Sequence, residues 1–209
     1  MTTHSQKLDN STFKHKVALR RAMLDKLAEV GIDSPTLMET HGGYGHIWKT
    51  VYPHLEQGVV FEKDARKVAH LGKQRPTWAV YEGDCIEALA AGVGGRLAIQ
   101  VVDIDPYGEP WPVMDAFFTS EREFAPIMAV VVNDGLRQAL GLGRAWDVKS
   151  MADMVLKYGN DLHPIYLEVC RELITEKAAQ AGYTVSHFSG YYCGANQGMT
   201  HYLAMLRRG

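Results

Sequence analysis

Two carboxylates stand at the end of an apolar strand in the segment QVVDIDPYGEPWP, residues 100–112. Asp103 and Asp105 are costly to bury there, and Pro106 is poorly suited to continuing a sheet. A carboxylate that is taken out of water must be paired with a cation or used in chemistry, since its oxygens accept hydrogen bonds and can take up a proton. We therefore expect this segment to leave the sheet as a functional corner.

A glycine-rich turn follows the first predicted strand, in the segment ETHGGYG, residues 39–45. Glycines between a strand and a helix allow the backbone to approach a ligand closely, with a helix N-terminus nearby. A simple tight turn has the same pattern, so the glycines alone do not separate the two interpretations.

Two further strand ends carry acidic residues. Glu62 could accept two hydrogen bonds from the hydroxyls of a ribose, although acidic residues are also common near ordinary helix caps. In the segment GDC, Asp84 could accept a hydrogen bond from an adenine amino group, and the amide of Cys85 could donate one to the ring. Asp84 could equally be the N-cap of the helix that follows.

These residues need a sheet that brings the strand ends together. Apolar runs bounded by turn residues predict seven strands: Thr36–Thr40, Gly58–Glu62, Thr77–Tyr81, Leu97–Asp103, Pro126–Asn133, Tyr183–Cys193 and Thr200–Arg207. Helical stretches separate the first five, over Gly45–Tyr52, Ala65–Gly72, Cys85–Ala91 and Pro112–Phe118, and another lies between Pro164 and Gly182. Continuous apolar runs are typical of parallel strands covered on both faces, whereas GANQGM, between the last two strands, suits a hairpin turn. The predicted fold class is therefore α/β: a Rossmann-like, seven-stranded, mostly parallel sheet with an antiparallel C-terminal hairpin and helices on both faces.

The N-terminal region combines a polar tail with a basic helix. Residues 1–12 are polar and aperiodic and predict a loose tail, whereas leucine, methionine and valine residues recur at helical spacing over residues 13–30. Lysines and arginines lie mostly off that stripe, which favours a solvated outer face, with a substrate-facing basic patch as the alternative. We expect a single domain over residues 1–209, with residues 141–160 as the most variable loop region.

Composition excludes several classes of protein. The net charge of −2 and pI of about 6.5 give no global basic field for tight nucleic-acid binding, although a local patch is compatible with them. The three cysteines form no CxxC pair, and the nine histidines show no paired ligand spacing, so we expect neither a disulfide framework nor a metal site. The longest apolar run is IMAVVV, far too short to span a bilayer, and the N-terminus lacks the apolar core of a signal peptide. We expect a soluble cytoplasmic protein without a membrane partner.

The order of these features resembles the class I S-adenosylmethionine-dependent methyltransferases: a glycine turn, an acidic strand end, a Gly-Asp strand end and then D-P-Y. The resemblance covers residues 36–135 and extends to residue 207 through the terminal hairpin. A nicotinamide dehydrogenase would more usually carry G-x-G-x-x-G, whereas the turn here reads G-G-Y-G-H-I. The resemblance implies an enzyme whose cofactor, S-adenosyl-L-methionine, is held by eight residues: Glu39, His41, Gly43, Gly45, Glu62, Asp84, Cys85 and Asp103. For His41, simple packing in the turn is an equal alternative to a contact with the cofactor.

Within that family, VVDIDPYGEPWPVMDA is similar to the D-I-D-P-F-G-S-P segment of the tRNA guanine N2-dimethyltransferases, and more loosely to the D-P-P-Y motif of amino-methylating nucleic-acid enzymes. The similarity implies that Asp105 and the carbonyl of Pro106 accept hydrogen bonds from the target amino group, while Tyr107 stacks on the base or walls the pocket. Fixing the amino hydrogens favours the geometry in which the nitrogen lone pair points at the methyl group. The implied reaction is methyl transfer to an exocyclic amine of a nucleobase, in RNA more than in DNA, without a metal or a covalent nucleophile.

The chain departs from that pattern at Glu109, where the guanine dimethyltransferases have Ser or Thr. Together with Asp103 and Asp105 it predicts an acidic mouth, which repels phosphate unless the basic N-terminal helix lies across it. An acidic mouth favours a second possibility, a small amine or a protein side chain as the methyl acceptor. A third possibility is a non-catalytic module that binds S-adenosylmethionine.

Overall fold

The computed structural model describes residues 10–142 and 152–209, and these contain one seven-stranded sheet with helices around it. Its strands are β1 (Leu37–Glu39), β2 (Gly58–Glu62), β3 (Ala79–Glu82), β4 (Ile99–Ile104), β5 (Phe124–Asp134), β6 (Tyr183–Cys193) and β7 (Met199–Arg208). Their order across the sheet is β3-β2-β1-β4-β5-β7-β6. The first five strands run parallel, whereas β7 is antiparallel to both β5 and β6. The predicted fold class, with its antiparallel C-terminal hairpin, is confirmed.

Helices connect the strands and cover both faces of the sheet. They are α1 (Asn10–Ala28), α2 (His46–Val51), α3 (Ala65–Gln74), α4 (Cys85–Ala90), α5 (Trp111–Thr119), α6 (Leu136–Gly141), α7 (Ala152–Tyr158) and α8 (Tyr166–Gln180). Side chains of α1, α2 and α3 pack in one apolar cluster, and those of α4, α5, α7 and α8 pack in another. Neighbouring β4 residues divide between the clusters, Val101 in one and Val102 in the other, because successive side chains of a strand point to opposite faces. None of the helices in the described ranges is long and apolar enough to cross a bilayer.

Two sequence predictions at the chain's less regular segments need correction. The N-terminal helix begins at Asn10, not Phe13, so the end of the predicted tail is helical. No local pattern predicts this first turn, which lies beside Gly194, distant in sequence, and contributes Thr12 and Phe13 to the lining of a cavity at the sheet edge. Part of the predicted loop region at residues 141–160 is also helical, because α7 places Val155 in the core. Residues 1–9 of the predicted tail and residues 143–151 of the predicted loop region lie outside the described residues.

The topology fixes where a ligand can bind. The carboxyl ends of the five parallel strands lie at one edge of the sheet, which is where open α/β sheets form binding crevices. Cross-strand pairing aligns Glu39 of β1 with Asp103 of β4 at that edge. Because β7 runs against β5, its amino end at Met199 lies at the same edge, beside Asp134.

Candidate functional site

A cavity of about 1030 Å³ opens at this edge. Four segments line it: the first turns of α1, the glycine turn with the start of α2, the end of β2 with α3, and the end of β4. The lining residues are Thr12, Phe13, Lys16, Arg20, Glu39, His41, Gly42, Gly43, Tyr44, His46, Ile47, Glu62, Asp64, Lys67, Asp103, Asp105, Pro106 and Tyr107. Five of the eight predicted cofactor residues and all three predicted acceptor residues therefore line one cavity, whereas Gly45, Asp84 and Cys85 lie outside its lining.

The glycine turn and the end of β2 form one hydrogen-bonded wall. Gly43 adopts a φ of 54°, a conformation that glycine reaches without strain, and its amide donates to Glu62 Oε2 at 2.8 Å. The other oxygen of Glu62 accepts from the amides of Lys63 and Asp64 at 2.9 and 3.0 Å. Three backbone donors thus fix the Glu62 carboxylate at the rim of the cavity.

Glu39 reaches the cavity from a buried ion pair. The Arg75 guanidinium donates to Glu39, and it also lies 4.8 Å and 5.0 Å from the ring centroids of Trp48 and Trp78. Both charged groups are nearly inaccessible to solvent, at 5% for Glu39 and 1% for Arg75. Gly45 packs against the same arginine, since a Cβ there would lie 3.1 Å from Arg75 Nη2. This pair anchors the turn from below the cavity.

His41 lies between the turn and the next predicted contact. Its Nδ1 is 2.8 Å from the hydroxyl of Thr40, and its Nε2 is 3.8 Å from Cys85 Sγ. Burial lowers the pKa of His41, so the ring in the cavity wall is neutral near pH 7. A neutral ring adds no positive charge to the cavity.

Asp84 and Cys85 sit beside the cavity and outside its lining. Asp84 Oδ1 caps α4 by accepting from the amides of Ile86 and Glu87 at 2.7 and 3.2 Å, and Oδ2 pairs with Lys63. Cys85 is buried, and burial raises the pKa of its thiol to about 11. The helix-cap alternative for Asp84 describes this geometry, and the adenine contact stays a prediction.

Asp103 is neutralised by an arginine from α1. Arg20 Nε donates to Asp103 Oδ2 at 2.6 Å, Arg20 Nη2 donates to Oδ1, and the Tyr52 hydroxyl donates to Oδ2 at 2.9 Å. Arg20 Nη1 further donates to the Lys16 carbonyl at 3.1 Å and to Asn133 Oδ1 at 3.4 Å. The prediction that α1 turns its basic residues to solvent is wrong at Arg20, which is fully buried. Burial is tolerated because the two-pronged guanidinium hydrogen-bonds both oxygens of the buried carboxylate.

Asp105 is paired with the next cation on the same helix. Lys16 Nζ lies 2.6 Å from Asp105 Oδ1, and the two side chains are about one-fifth exposed. Burial alone would raise the pKa of Asp105, but Lys16 and Arg20 outweigh it and hold the pKa below its ordinary value. The two cations of α1 therefore cancel the two carboxylates of the corner, and the mouth is less acidic than its sequence indicates.

The corner ends in an exposed aromatic ring. Pro106 and Tyr107 line the cavity, and the Tyr107 side chain is fully exposed. The following Gly108 accepts a hydrogen bond from the amide of Gly135 at 2.9 Å, which ties the corner to the end of β5. An exposed planar ring at a cavity rim can stack on a planar ligand.

Sequence reasoning missed the partners of the carboxylates: Lys16, Arg20 and Arg75. The basic character of α1 was the available signal, but the pairing of Arg20 with Asp103 spans 83 residues and is a property of the fold. The segment VVNDG, residues 131–135, follows the fifth predicted strand and predicts Asn133 or Asp134 on the substrate side. In the structure Asn133 Oδ1 accepts from Arg20 Nη1 at 3.4 Å, whereas Asp134 accepts from the Tyr166 hydroxyl at 2.8 Å.

Comparison with known proteins gives structural matches alone. The sequence matches no protein-family model and no curated protein sequence. Trm1 from Pyrococcus horikoshii, solved with S-adenosyl-L-methionine, matches with a TM-score of 0.64 at 12% identity, over 94% of this chain and 56% of that protein. TYW2 from M. jannaschii, in complex with AdoMet, gives 0.61 at 9% identity over 98% of this chain and 80% of that one. The N-methyltransferase NodS from Bradyrhizobium japonicum WM9, in complex with S-adenosyl-L-homocysteine, gives 0.60 at 13% identity over 99% and 93%. This chain thus shares their fold and spans little more than half the length of Trm1.

Proposed function

We propose that this protein is a cytoplasmic S-adenosylmethionine-dependent methyltransferase that acts on an exocyclic amine of a nucleobase, in RNA in preference to DNA. The observation that carries the proposal is the placement of α1, which sets Lys16 and Arg20 on Asp105 and Asp103 at the rim of the shared cavity. The corner is thereby a set of fixed hydrogen-bond acceptors with little net charge. Such a corner suits an uncharged amino group on a planar ring.

The cavity fits the cofactor in size and donor set. Small-molecule sites span roughly 300–1000 Å³, and the cavity lies at the upper end of that range. The Glu62 carboxylate, fixed by three amides, suits the hydroxyls of a ribose. Neutral His41 avoids repulsion of a cationic sulfonium. The structural neighbours solved with S-adenosyl-L-methionine, AdoMet or S-adenosyl-L-homocysteine support the same assignment.

S-adenosylmethionine, when bound, supplies an electrophilic methyl group on a sulfonium centre. The residues then need to orient the acceptor and to tolerate its proton. Lys16 binds Asp105 Oδ1 and fixes the carboxylate, so we assign Oδ2 and the Pro106 carbonyl as acceptors for the two amino hydrogens. Because Lys16 and Arg20 lower the pKa of Asp105, its carboxylate stays ionised and orients the amine more than it draws off the proton.

The charge balance of the corner argues against an aliphatic amine. A lysine-like amine has a pKa near 10.4 and is a cation at pH 7. Two carboxylates would attract it, but each already holds a cation from α1. A nucleobase amine is uncharged and is not penalised by those cations, which also offset the repulsion between Asp105 and phosphate.

A labelled-methyl assay tests the proposal directly. Purified protein is incubated with tritiated S-adenosylmethionine and, separately, total RNA, genomic DNA and a mixture of alkylamines and lysine peptides. We expect transfer to nucleic acid, a loss of at least about 100-fold in Asp105→Asn, and no change in Asp33→Asn, a matched carboxylate exposed on a loop. Calorimetric titration with S-adenosyl-L-homocysteine should give the same affinity for Asp105→Asn as for the wild type.

Three results would contradict the proposal in different ways. Transfer to amines alone would support the small-amine alternative. Cofactor binding without transfer to any pool, together with an unchanged cellular effect of Asp105→Ala, would support the non-catalytic module. Tighter binding of NAD than of S-adenosylmethionine would refute the cofactor itself.

A further inference from the structure

The turn between β6 and β7, residues 194–198, lies at the same sheet edge as the Asp105 corner. It ends at Met199, where β7 begins, and β7 is separated from β4 only by β5. Neighbouring strands are about 4.8 Å apart, so the start of β7, where the turn ends, stands about 10 Å from the end of β4. That distance is within the reach of one nucleotide bound at the corner.

The turn lies close to one residue of the cavity wall. A Cβ on Gly194 would lie 3.5 Å from Cγ2 of Thr12, a residue that lines the cavity. A Cβ on Gly135 would lie 3.4 Å from Gly108 Cα and 3.8 Å from Met199 Sδ. Gly135 therefore lies between the backbone that follows Tyr107 and Met199, the first residue after the turn.

Two non-glycine residues in the turn adopt left-handed conformations. Asn196 has a φ of 52° and Gln197 a φ of 53°, and among the described non-glycine residues these two alone have positive φ. Both side chains are exposed, although glycine stands close by at 194 and 198. Glycine at 196 and 197 would adopt the same conformations with less strain, so the two amide-bearing residues carry a backbone cost here.

A buried arginine holds the main chain of the turn in place. Arg137 Nη1 donates to the Gln197 carbonyl and Nε donates to the His163 carbonyl at 3.2 Å. The guanidinium carbon also lies 3.9 Å from the centroid of the Tyr192 ring, and Arg137 is only 6% exposed. The clamp contacts the backbone and leaves the amide groups of Asn196 and Gln197 at the surface.

We propose that the Asn196 and Gln197 amides bind the edge of the acceptor base or of its neighbour in the strand, and so select which base is methylated. Side-chain amides present one donor and one acceptor at a spacing that matches the edges of nucleobases. The clamp fixes the backbone from which both amides project, so the two side chains start from defined positions at this edge. This inference rests on the proposed function, since it assigns the acceptor specificity of that same site.

Glycine substitutions separate recognition from turn formation. Asn196→Gly and Gln197→Gly keep the left-handed backbone and remove one amide each, and Asn196→Asp keeps the shape and removes the donor. Acceptors are short RNA and DNA oligonucleotides that carry a single amine-bearing base, adenine, cytosine or guanine, and a parallel set of alkylamines. We expect the ratio of kcat/KM between the preferred and the next base to fall at least about 10-fold in each glycine variant.

The controls keep a structural role distinguishable. The free energy of urea unfolding should stay equal or rise in the glycine variants, and affinity for S-adenosyl-L-homocysteine should stay within about two-fold. Gln57→Ala, which removes an exposed amide far from the turn, should leave the ratio unchanged. A fall in unfolding free energy for both glycine variants would overturn the inference, because the side chains would then be structural.

The outcomes also separate this inference from the proposed function. If the wild type methylates bases and the glycine variants discriminate as well as it does, the inference is wrong and the proposed function stands. If the wild type methylates only alkylamines, the proposed function and the base contact are both refuted. If the glycine variants then choose among the amines as the wild type does, the turn has no role in selecting the acceptor. Absence of transfer to every acceptor would overturn both.

Discussion

Replacement of Arg20 by methionine tests whether α1 is fixed over the cavity by a buried ion pair. Arg20 is fully buried and Asp103 is 2% exposed, so methionine fills similar space but leaves the carboxylate with one side-chain donor among the described residues, the Tyr52 hydroxyl at 2.9 Å. Removing one partner of a buried pair costs about 3–5 kcal/mol because the other charge stays uncompensated. For a chain of 209 residues this corresponds to a fall in Tm of roughly 6–20 °C.

Urea unfolding followed by circular dichroism measures this cost, with two further variants as controls. Arg20→Lys keeps the charge and loses the two-pronged contact with Asp103, so we expect an intermediate loss of about 1–3 kcal/mol. Combining Arg20→Met with Asp103→Asn removes both charges, and the double variant should be more stable than Arg20→Met alone. A loss below about 1 kcal/mol in Arg20→Met, or strictly additive single losses, would refute the view that this pair anchors α1.

Three other perturbations test separate parts of the structure. Lys16→Met removes the nearest cation from Asp105 and raises the pKa of that carboxyl, so methyl transfer at about pH 5 should fall more than transfer at about pH 8. Lys16→Arg keeps the charge and should keep the wild-type pH–rate profile. Identical profiles for the two variants would contradict the pairing. Burial raises the pKa of Asp134 to about 7, from about 4 in the unfolded chain, so the stabilisation from its protonated form is complete below about pH 4 and is lost towards about pH 7. The unfolding free energy of Asp134→Asn, relative to that of the wild type, should therefore rise by a few kcal/mol between about pH 4 and pH 8. A difference that stays constant with pH would exclude the shift. Gly42→Ala places a Cβ 2.5 Å from Val60 Cγ2 and should lower the free energy of unfolding by about 1–3 kcal/mol in a urea titration, whereas wild-type stability would show that the turn has room to move.

The sheet could be predicted because its signals are local. β2 over Gly58–Glu62 and β6 over Tyr183–Cys193 have the predicted bounds, since glycine or turn residues stand at their ends. The continuous apolar run of β5 identified a strand covered on both faces, and all its residues from Met128 to Asp134 are buried. The orientation of the last two strands followed from a connection too short for a crossover.

The charge balance of the site could not be predicted, because it depends on pairings that are distant in sequence. Periodicity identified the apolar stripe of α1 but not the direction in which its N-terminal turns would point. Lys16 and Arg20 lie one turn apart and meet Asp105 and Asp103, which are two positions apart at the end of β4. That match of one helical turn to a strand end appears only when α1 packs against β5 and β7. The basic helix does lie across the predicted acidic mouth, and it neutralises Asp103 and Asp105 in it.

This pairing also bears on what Asp105 does in the proposed reaction. Methylation of a ring-conjugated amine leaves a cationic nitrogen that releases its proton readily, so a strong base gains little. A fixed acceptor gains more, because the lone pair must be aligned with the methyl group before transfer. Lys16 makes Asp105 a weaker base and a more rigid acceptor at the same time. If orientation controls the reaction, Lys16→Met should lower the maximal rate even where Asp105 is fully ionised. A faster reaction in that variant would show instead that removal of the proton is limiting.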